Sequence, residues 1–235
     1  MDDPIADPTV EMLGRPHAWN FIRRFAAAWS TPLDDDDGCS DAELDEAEER
    51  LDMALPVAVR EAYRLFGRRR DLTSNQDRLL APHELEVEDD HRLVYRRECQ
   101  NCAVWAVDLA NPTKVDPPTV WREYGGHGWR PFLDRFSDAC VEVVLSESLF
   151  DGPIELTANG QLEDDSLAVL ERYRRLNFPA YDMWAGAPAG PEVRWFGGPG
   201  VLLCDHGETW LWVRALTPEA IDTVRHGIPV EWIMS

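Results

Sequence analysis

The chain predicts an α+β protein: a single, mostly antiparallel sheet flanked by helices and entered through an N-terminal helical hairpin. Three observations lead there. Residues 15–67 place apolar side chains at helical spacing, and beyond Asp71 the period drops to two. Helical spacing then returns at 129–150, at 166–176 and after Thr217, separating two groups of strand-like segments.

In order along the chain, residues 1–14 read as a loose N-terminus. Arg15 to Trp29 follows with Trp19, Ile22, Phe25, Ala26 and Trp29 on one face, Pro16 in the first turn and Ser30-Thr31-Pro32 as the stop. An acidic loop, Asp34-Asp35-Asp36-Asp37-Gly38-Cys39, precedes Ser40 and Glu43, whose spacing makes a capping box. Leu44, Ala47 and Leu51 form the inner stripe of that second helix. Pro56 opens a third, with Val59, Ala62, Tyr63 and Phe66 inward and Gly67 closing it. Strands are expected near Leu93–Arg97, Ala103–Leu109 and Thr119–Tyr124, the last two joined by the turn-rich run Asn111 to Pro118. Glu192–Phe196, Gly200–Cys204 and Thr209–Ala215 supply three more, and a helix capped by Thr217-Pro218-Glu219 closes the chain. The organisation read from this is 1–37 for the first helix and acidic loop, 38–150 for the α+β core, and 151–235 for an extension adding strands and a terminal helix to the same domain.

Composition narrows the function classes. With 235 residues, 44% of them hydrophobic, and ten tryptophans, the chain can bury a sizeable core. The formal charge of −21 argues against nucleic acid and anionic membranes as partners, since both recruit cationic surfaces. No apolar run approaches a membrane span or the core of a signal peptide. Five scattered cysteines fit a reducing compartment better than a disulfide framework. A cytoplasmic location is therefore expected.

From Asp34 to Asp52 there are eleven acids and one base, Arg50, a net of −10. Asp41/Asp45, Asp45/Glu49 and Glu48/Asp52 are like-charge pairs four residues apart, each costing about 0.2–0.5 kcal/mol, and only Glu46/Arg50 offsets them. A solvated acidic face explains the run; so does a surface held for a cationic partner, whose residues would be Asp34, Asp35, Asp36, Asp37, Asp41, Asp45, Glu48, Glu49 and Asp52. Arg64, Arg68, Arg69 and Arg70 can pair with these acids or with those between Glu84 and Asp90, or meet an acidic ligand. Cys99 and Cys102 have zinc-like spacing but no second pair, so chance spacing or buried thiols is the better reading. The histidines show no ligand spacing, and the glycines around His127 read as a loop. No nucleophile motif, phosphate-binding loop or cofactor motif is present, so catalytic residues, metal and cofactor are all expected to be none. Trp195, Trp210, Trp212 and Trp232 are core residues or interface anchors.

Several of these residues, in this order, resemble the SUKH superfamily: Glu46, Glu49 and Leu51 in an acidic helix, the joint Leu55-Pro56, then Arg60-Glu61-x-Tyr63. Trp105, Val115-Asp116-Pro117-Pro118-x-Val120 and Phe132-Leu133 complete the set, spanning about residues 38–150. Where the family carries Asn-Gly after the second helix, this chain has Gly67-Arg68-Arg69-Arg70. The resemblance implies an α+β sheet flanked by helices and no catalytic residues. It implies an immunity protein that binds and neutralises a bacterial protein toxin, and the acidic face makes a basic toxin the expected partner; a regulatory scaffold for an endogenous partner and a small enzyme are the alternatives.

Overall fold

The computed structural model describes residues 3–89, 91–111, 114–124, 128–183, 185 and 190–233. Asp90, His127 with Gly125 and Gly126, and residues 186–189 lie outside the described residues. Helix α1 (Arg15–Trp29) buries the expected face, adding Ala18 and Phe21 to it. Phe25 stacks between Phe21 and Trp29 at ring separations of 5.8 and 5.5 Å. Helix α2 (Asp41–Leu51) carries the capping box: Glu43 N donates to Ser40 Oγ at 3.3 Å, and Ser40 N donates to Glu43 Oε2 at 2.8 Å. Such a cap is worth about 1 kcal/mol. Asp52, at φ 52°, ends the helix in the left-handed region. Helix α3 (Val57–Phe66) follows, and its Tyr63 hydroxyl donates to the Leu80 carbonyl at 2.7 Å.

After the short α4 (Arg70–Thr73) come β1 (Arg78–Leu79), β2 (Glu86–Glu88), β3 (Arg92–Arg97), β4 (Ala103–Asp108), β5 (Thr119–Glu123) and β6 (Arg130–Pro131). They form an antiparallel sheet of order β1-β3-β4-β5-β6, with β2 also on β3. The stretch 129–150 is helical only from Phe136: α5 runs Phe136–Ser148. Its expected first turns are instead extended, because Arg130 and Pro131 pair with Trp121 and Val120 at the sheet edge, where a residue without an N–H is tolerated. Asp116 then accepts from Ser137 N at 3.0 Å, fixing where the helix begins. Every residue of α5 except Ser146 is buried.

The α+β class holds, with a correction to the expected single sheet: the strands divide into two. The second contains β7 (Thr157–Gln161), β8 (Arg174–Arg175), β9 (Tyr181–Asp182), β10 (Glu192–Gly198), β11 (Val201–His206), β12 (Trp210–Ala215) and β13 (Trp232–Ile233), all antiparallel. Its order is β13-β7-β12-β11-β10-β8. Short turns join β10, β11 and β12, so these pair with one another, and their apolar side chains alternate onto both faces. Val193, Trp195, Leu202 and Cys204 enter the core shared with α1, α3, α5 and the first sheet. Phe196, Leu203, Leu211 and Val213 pack on the other side with Ile221 and Val224 of α7 (Pro218–Gly227). A sheet needing cover on both faces stands as a layer of its own. Helix α6 (Asp164–Leu170) ends before the expected Leu176, because Arg174 and Arg175 are drawn into strand pairing with Gly197 and Phe196.

The N-terminus is not loose. Ile5 is fully buried, and Val10 and Met12 are buried with it. Asp3 accepts from the Trp29 indole at 2.9 Å and from Gly200 N at 3.0 Å, and Arg174 donates to the Ile5 carbonyl. Residues 3–14 thus strap the second sheet to α1. Gly197 makes the fit possible: a Cβ there would stand 2.4 Å from Ile5 Cγ2.

Candidate functional site

Two places on the molecule gather chemistry. The first is the acidic hairpin. Its loop folds back on α3, where Gly38 lies so close that a Cβ would meet the Arg64 carbonyl at 1.7 Å. Arginines of α3 run through the acidic face: Arg60 reaches Asp45 at 2.9 Å, Glu48 at 2.8 Å and Asp41 at 3.3 Å. Arg64 pairs with Asp41, and Arg68 with Glu43 at 2.6 Å. The Arg64 guanidinium holds the Asp41 carboxyl below its usual range, while hydrogen bonds from Ser40 do the same for Glu43. Asp37 accepts from buried Arg69 at 3.0 Å, which also grips Asp71 through Nε at 2.8 Å and Nη2 at 2.7 Å. Arg50 does not take up Glu46; its guanidinium donates to the carbonyls of Pro82 and Leu85 at 3.0 and 2.7 Å.

The nine candidate acids therefore separate. Asp37, Asp41, Asp45 and Glu48 are met by guanidinium groups. Asp34, Asp35, Asp36, Glu49 and Asp52, with Glu46 beside them, are exposed and make no ion pair among the described residues, although Arg23 and Arg64 lie near Asp34 and Asp35, and Arg50 near Glu46. The arginines of α3 decide this division, since Arg60 and Arg64 reach Asp41, Asp45 and Glu48 and leave Glu46, Glu49 and Asp52 without an ion pair among the described residues.

Cys99 and Cys102 sit in the β3–β4 turn as free thiols. Glu98 Oε2 accepts from Gln100 N at 2.7 Å and Cys102 N at 2.9 Å, and Asp77 Oδ1 from Cys99 N at 3.2 Å. Asp77, Glu98 and Cys99 are the one trio of metal-type donors that converges among the described residues, within 4.8 Å. Their oxygens are engaged in holding the turn, and burial pushes the Cys99 thiol up to about 11, so the set suits a protonated structural turn better than an ion.

The second place is a cleft of about 240 Å³ between the two sheets, floored by α5. At its base Arg96, 3% exposed, is held by three carboxylates: Glu142 at 2.7 Å, Glu147 at 3.0 Å and Asp77 at 3.1 Å. Its Cζ lies 4.8 Å from the Trp105 ring centre. Glu147 also accepts from Asn75 N, Gln76 N and Asp77 N at 2.7, 2.6 and 3.1 Å. Glu142 accepts from the Tyr181 hydroxyl at 3.0 Å, and that oxygen in turn accepts from the Trp195 indole at 3.3 Å. Burial pushes the carboxyls of Asp77 and Glu142 up, against the opposing pull of Arg96. Trp105, Phe132, Phe150, Tyr181, Trp195 and Trp212 make the walls. The expectation for the tryptophans is thereby split: Trp195 is core, Trp212 is half-buried against Phe150 at 4.9 Å, and neither Trp210, whose ring lies 6.4 Å from that of Trp212, nor Trp232 lines the cleft.

The cleft has no signature in residue spacing, because its groups come from positions 77, 96, 105, 142, 181 and 206. One signal was available: Glu142 and Glu147 interrupt an apolar helical run, and a carboxylate buried there requires a partner.

His206 lines the same cleft, and burial pushes its imidazole from an ordinary 6.5 down to about 4. Between those values the native chain binds fewer protons at this site than the unfolded chain. Stability from His206 is therefore complete above pH 6.5 and lost as pH falls towards 4. His206→Asn is expected to flatten the decline of unfolding free energy across that window, measured by urea titration; parallel curves for variant and parent would remove the assignment.

Comparison of the chain with protein-family models, curated proteins and solved structures finds no match.

Proposed function

We propose that this chain is a non-enzymatic protein-binding module of the SUKH type, an immunity protein that occludes a basic protein toxin. The observation that carries the reading is the open side of the acidic hairpin: Asp34, Asp35, Asp36, Glu46, Glu49 and Asp52 are exposed and make no ion pair among the described residues, on a chain of net charge −21. Such a surface raises the encounter rate with a basic protein and rejects acidic ones. Support also comes from the order of elements, a capped acidic helix, a proline-started second helix, an antiparallel meander and a closing buried helix, which follows the resemblance in the sequence. Cys140 and Cys204 are buried and their thiols are pushed up by burial, so they fit packing rather than attack on a substrate.

Changing all six acids to Asn or Gln is expected to shift stability by no more than about 0.5 kcal/mol per position, as for surface positions generally. The association rate with the toxin encoded beside the gene, measured by stopped flow, should fall at least about tenfold at low salt and lose its salt dependence. An unchanged, salt-insensitive rate would refute the steering role.

A further inference from the structure

Beyond the hairpin and the cleft, a groove of about 520 Å³ lies at the end of the second sheet, between the β10–β11 turn and α7. We propose that it takes a small organic anion, a carboxylate or phosphate head group on an apolar body. Three observations point there. The guanidinium groups of Arg172 and Arg174 line the groove and no Asp or Glu does, on a chain with 44 acids against 23 bases. Neither arginine makes an ion pair among the described residues: Arg172 is exposed, and Arg174 donates to the Ile5 carbonyl. The hydroxyl of Tyr173, which also lines the groove, has no hydrogen-bond partner among the described residues.

Arginines elsewhere are matched by acids, since Arg60, Arg96 and Arg194 each meet three carboxylates. The space itself comes from Gly198. In the register of β10 with β11 it stands opposite Val201, on the face where Phe196 packs towards α7. A Cβ at Gly198 would meet nothing within 4 Å, so a position where a side chain could fill the gap is left open. Val201, Ala220 and Val224 make apolar walls around it. The volume falls within the roughly 300–1,000 Å³ typical of small-molecule sites. A guanidinium offers its N–H donors as a planar fork that fits the paired oxygens of a carboxylate or phosphate. A cation would meet two positive groups with no counter-charge, and a neutral ligand would leave both forks to water. An anion with an apolar body engages the forks and the walls together.

The test uses the full chain and two probes of nearly the same shape, 4-phenylbutanoate and the neutral 4-phenylbutanamide, titrated by calorimetry in low-salt buffer. Phenyl phosphate, run beside them, tells which head group is preferred. Saturable binding of an anion, at least about fivefold tighter than the amide and weakened by added salt, is expected. Arg172→Gln removes an exposed guanidinium that holds nothing in the fold, and should weaken the anion by a similar factor while leaving the amide unchanged. Gly198→Leu should block both probes with the thermal midpoint unchanged, since its side chain enters open space. Arg70→Gln, at an exposed guanidinium lining a different groove, should bind the anion as the parent does, which separates this site from general attraction to arginine. Absence of saturable binding by either anion, equal affinity for butanoate and amide, binding unaltered by both Arg172→Gln and Gly198→Leu, or binding lost with Arg70→Gln would overturn the proposal.

Discussion

Arg96→Met is expected to lower the unfolding free energy by about 3–5 kcal/mol at pH 7, the usual effect of removing one partner from a buried ionic cluster. The methionine fills much of the space, so the loss is electrostatic rather than a cavity effect. Glu142 and Glu147, 5% and 0% exposed, and Asp77, 9% exposed, would be left in the interior without the guanidinium that joins them. Burial already raises the carboxyls of Asp77 and Glu142, and without Arg96 they rise further. A carboxyl whose native pKa exceeds its unfolded one favours the folded state less as pH increases through that interval. The defect should therefore be deepest at neutral pH and shrink towards pH 5, where protonation discharges the cluster. Guanidinium denaturation at both pH values measures it. Adding Glu142→Gln to the variant should recover part of the loss, because the two residues are in direct contact. A loss below about 1 kcal/mol at pH 7, the scale of an exposed pair, would mean the cluster is hydrated and contributes little.

Ile5→Ala is expected to cost about 2–5 kcal/mol, the range for deleting a large aliphatic side chain from a packed interior. For a residue so near the start of the chain this is a large effect. It follows from Ile5 being fully buried beneath Gly197, with its carbonyl taken by Arg174 and the neighbouring Asp3 bonded to Trp29 and Gly200. The side chain has nothing to relax into, since the strap is fixed on both sides of it. Differential scanning calorimetry of parent and variant gives the shift directly; a change within about 0.5 kcal/mol, typical of surface sites, would show that residues 3–14 do not contribute to the core.

Elements whose determinant is local are legible in the sequence. Ser40 with Glu43, and Pro56 after Leu55, specify helix boundaries through atoms within four residues, and the hairpin forms there. Strands β3, β4, β5, β10, β11 and β12 were visible for the same reason, since alternation is a short-range pattern. The helical spacing of 129–150 does not reveal that its first residues are extended, since Pro131 fits a helix start and a sheet edge equally well, and only pairing with Val120 decides between them. Thr157–Gln161 carries no β-rich pattern; it becomes a strand because β12 and β13 lie on either side of it. The strap was illegible because its anchor, Gly197, lies almost two hundred residues away. In the acidic hairpin, pairing of Arg64 and Arg68 with the acids was among the readings the sequence allowed, while the threefold grip of Arg60 was not, since it depends on the rotation of α3 about its axis. The cleft required both sheets at once, so no window of sequence could contain it.

Helix α5 reaches both layers: its Phe136 packs edge-on against Tyr95 of the first sheet, while Glu142 and the Ser148 carbonyl take hydrogen bonds from Tyr181 and Arg214 of the second. Neither half keeps a complete interior without it. Melting either sheet strips cover from a helix the other depends on, so partial unfolding gains little entropy for the apolar surface it exposes to water. The two halves are thereby bound to a shared thermal fate, with heat taken up in one transition rather than two.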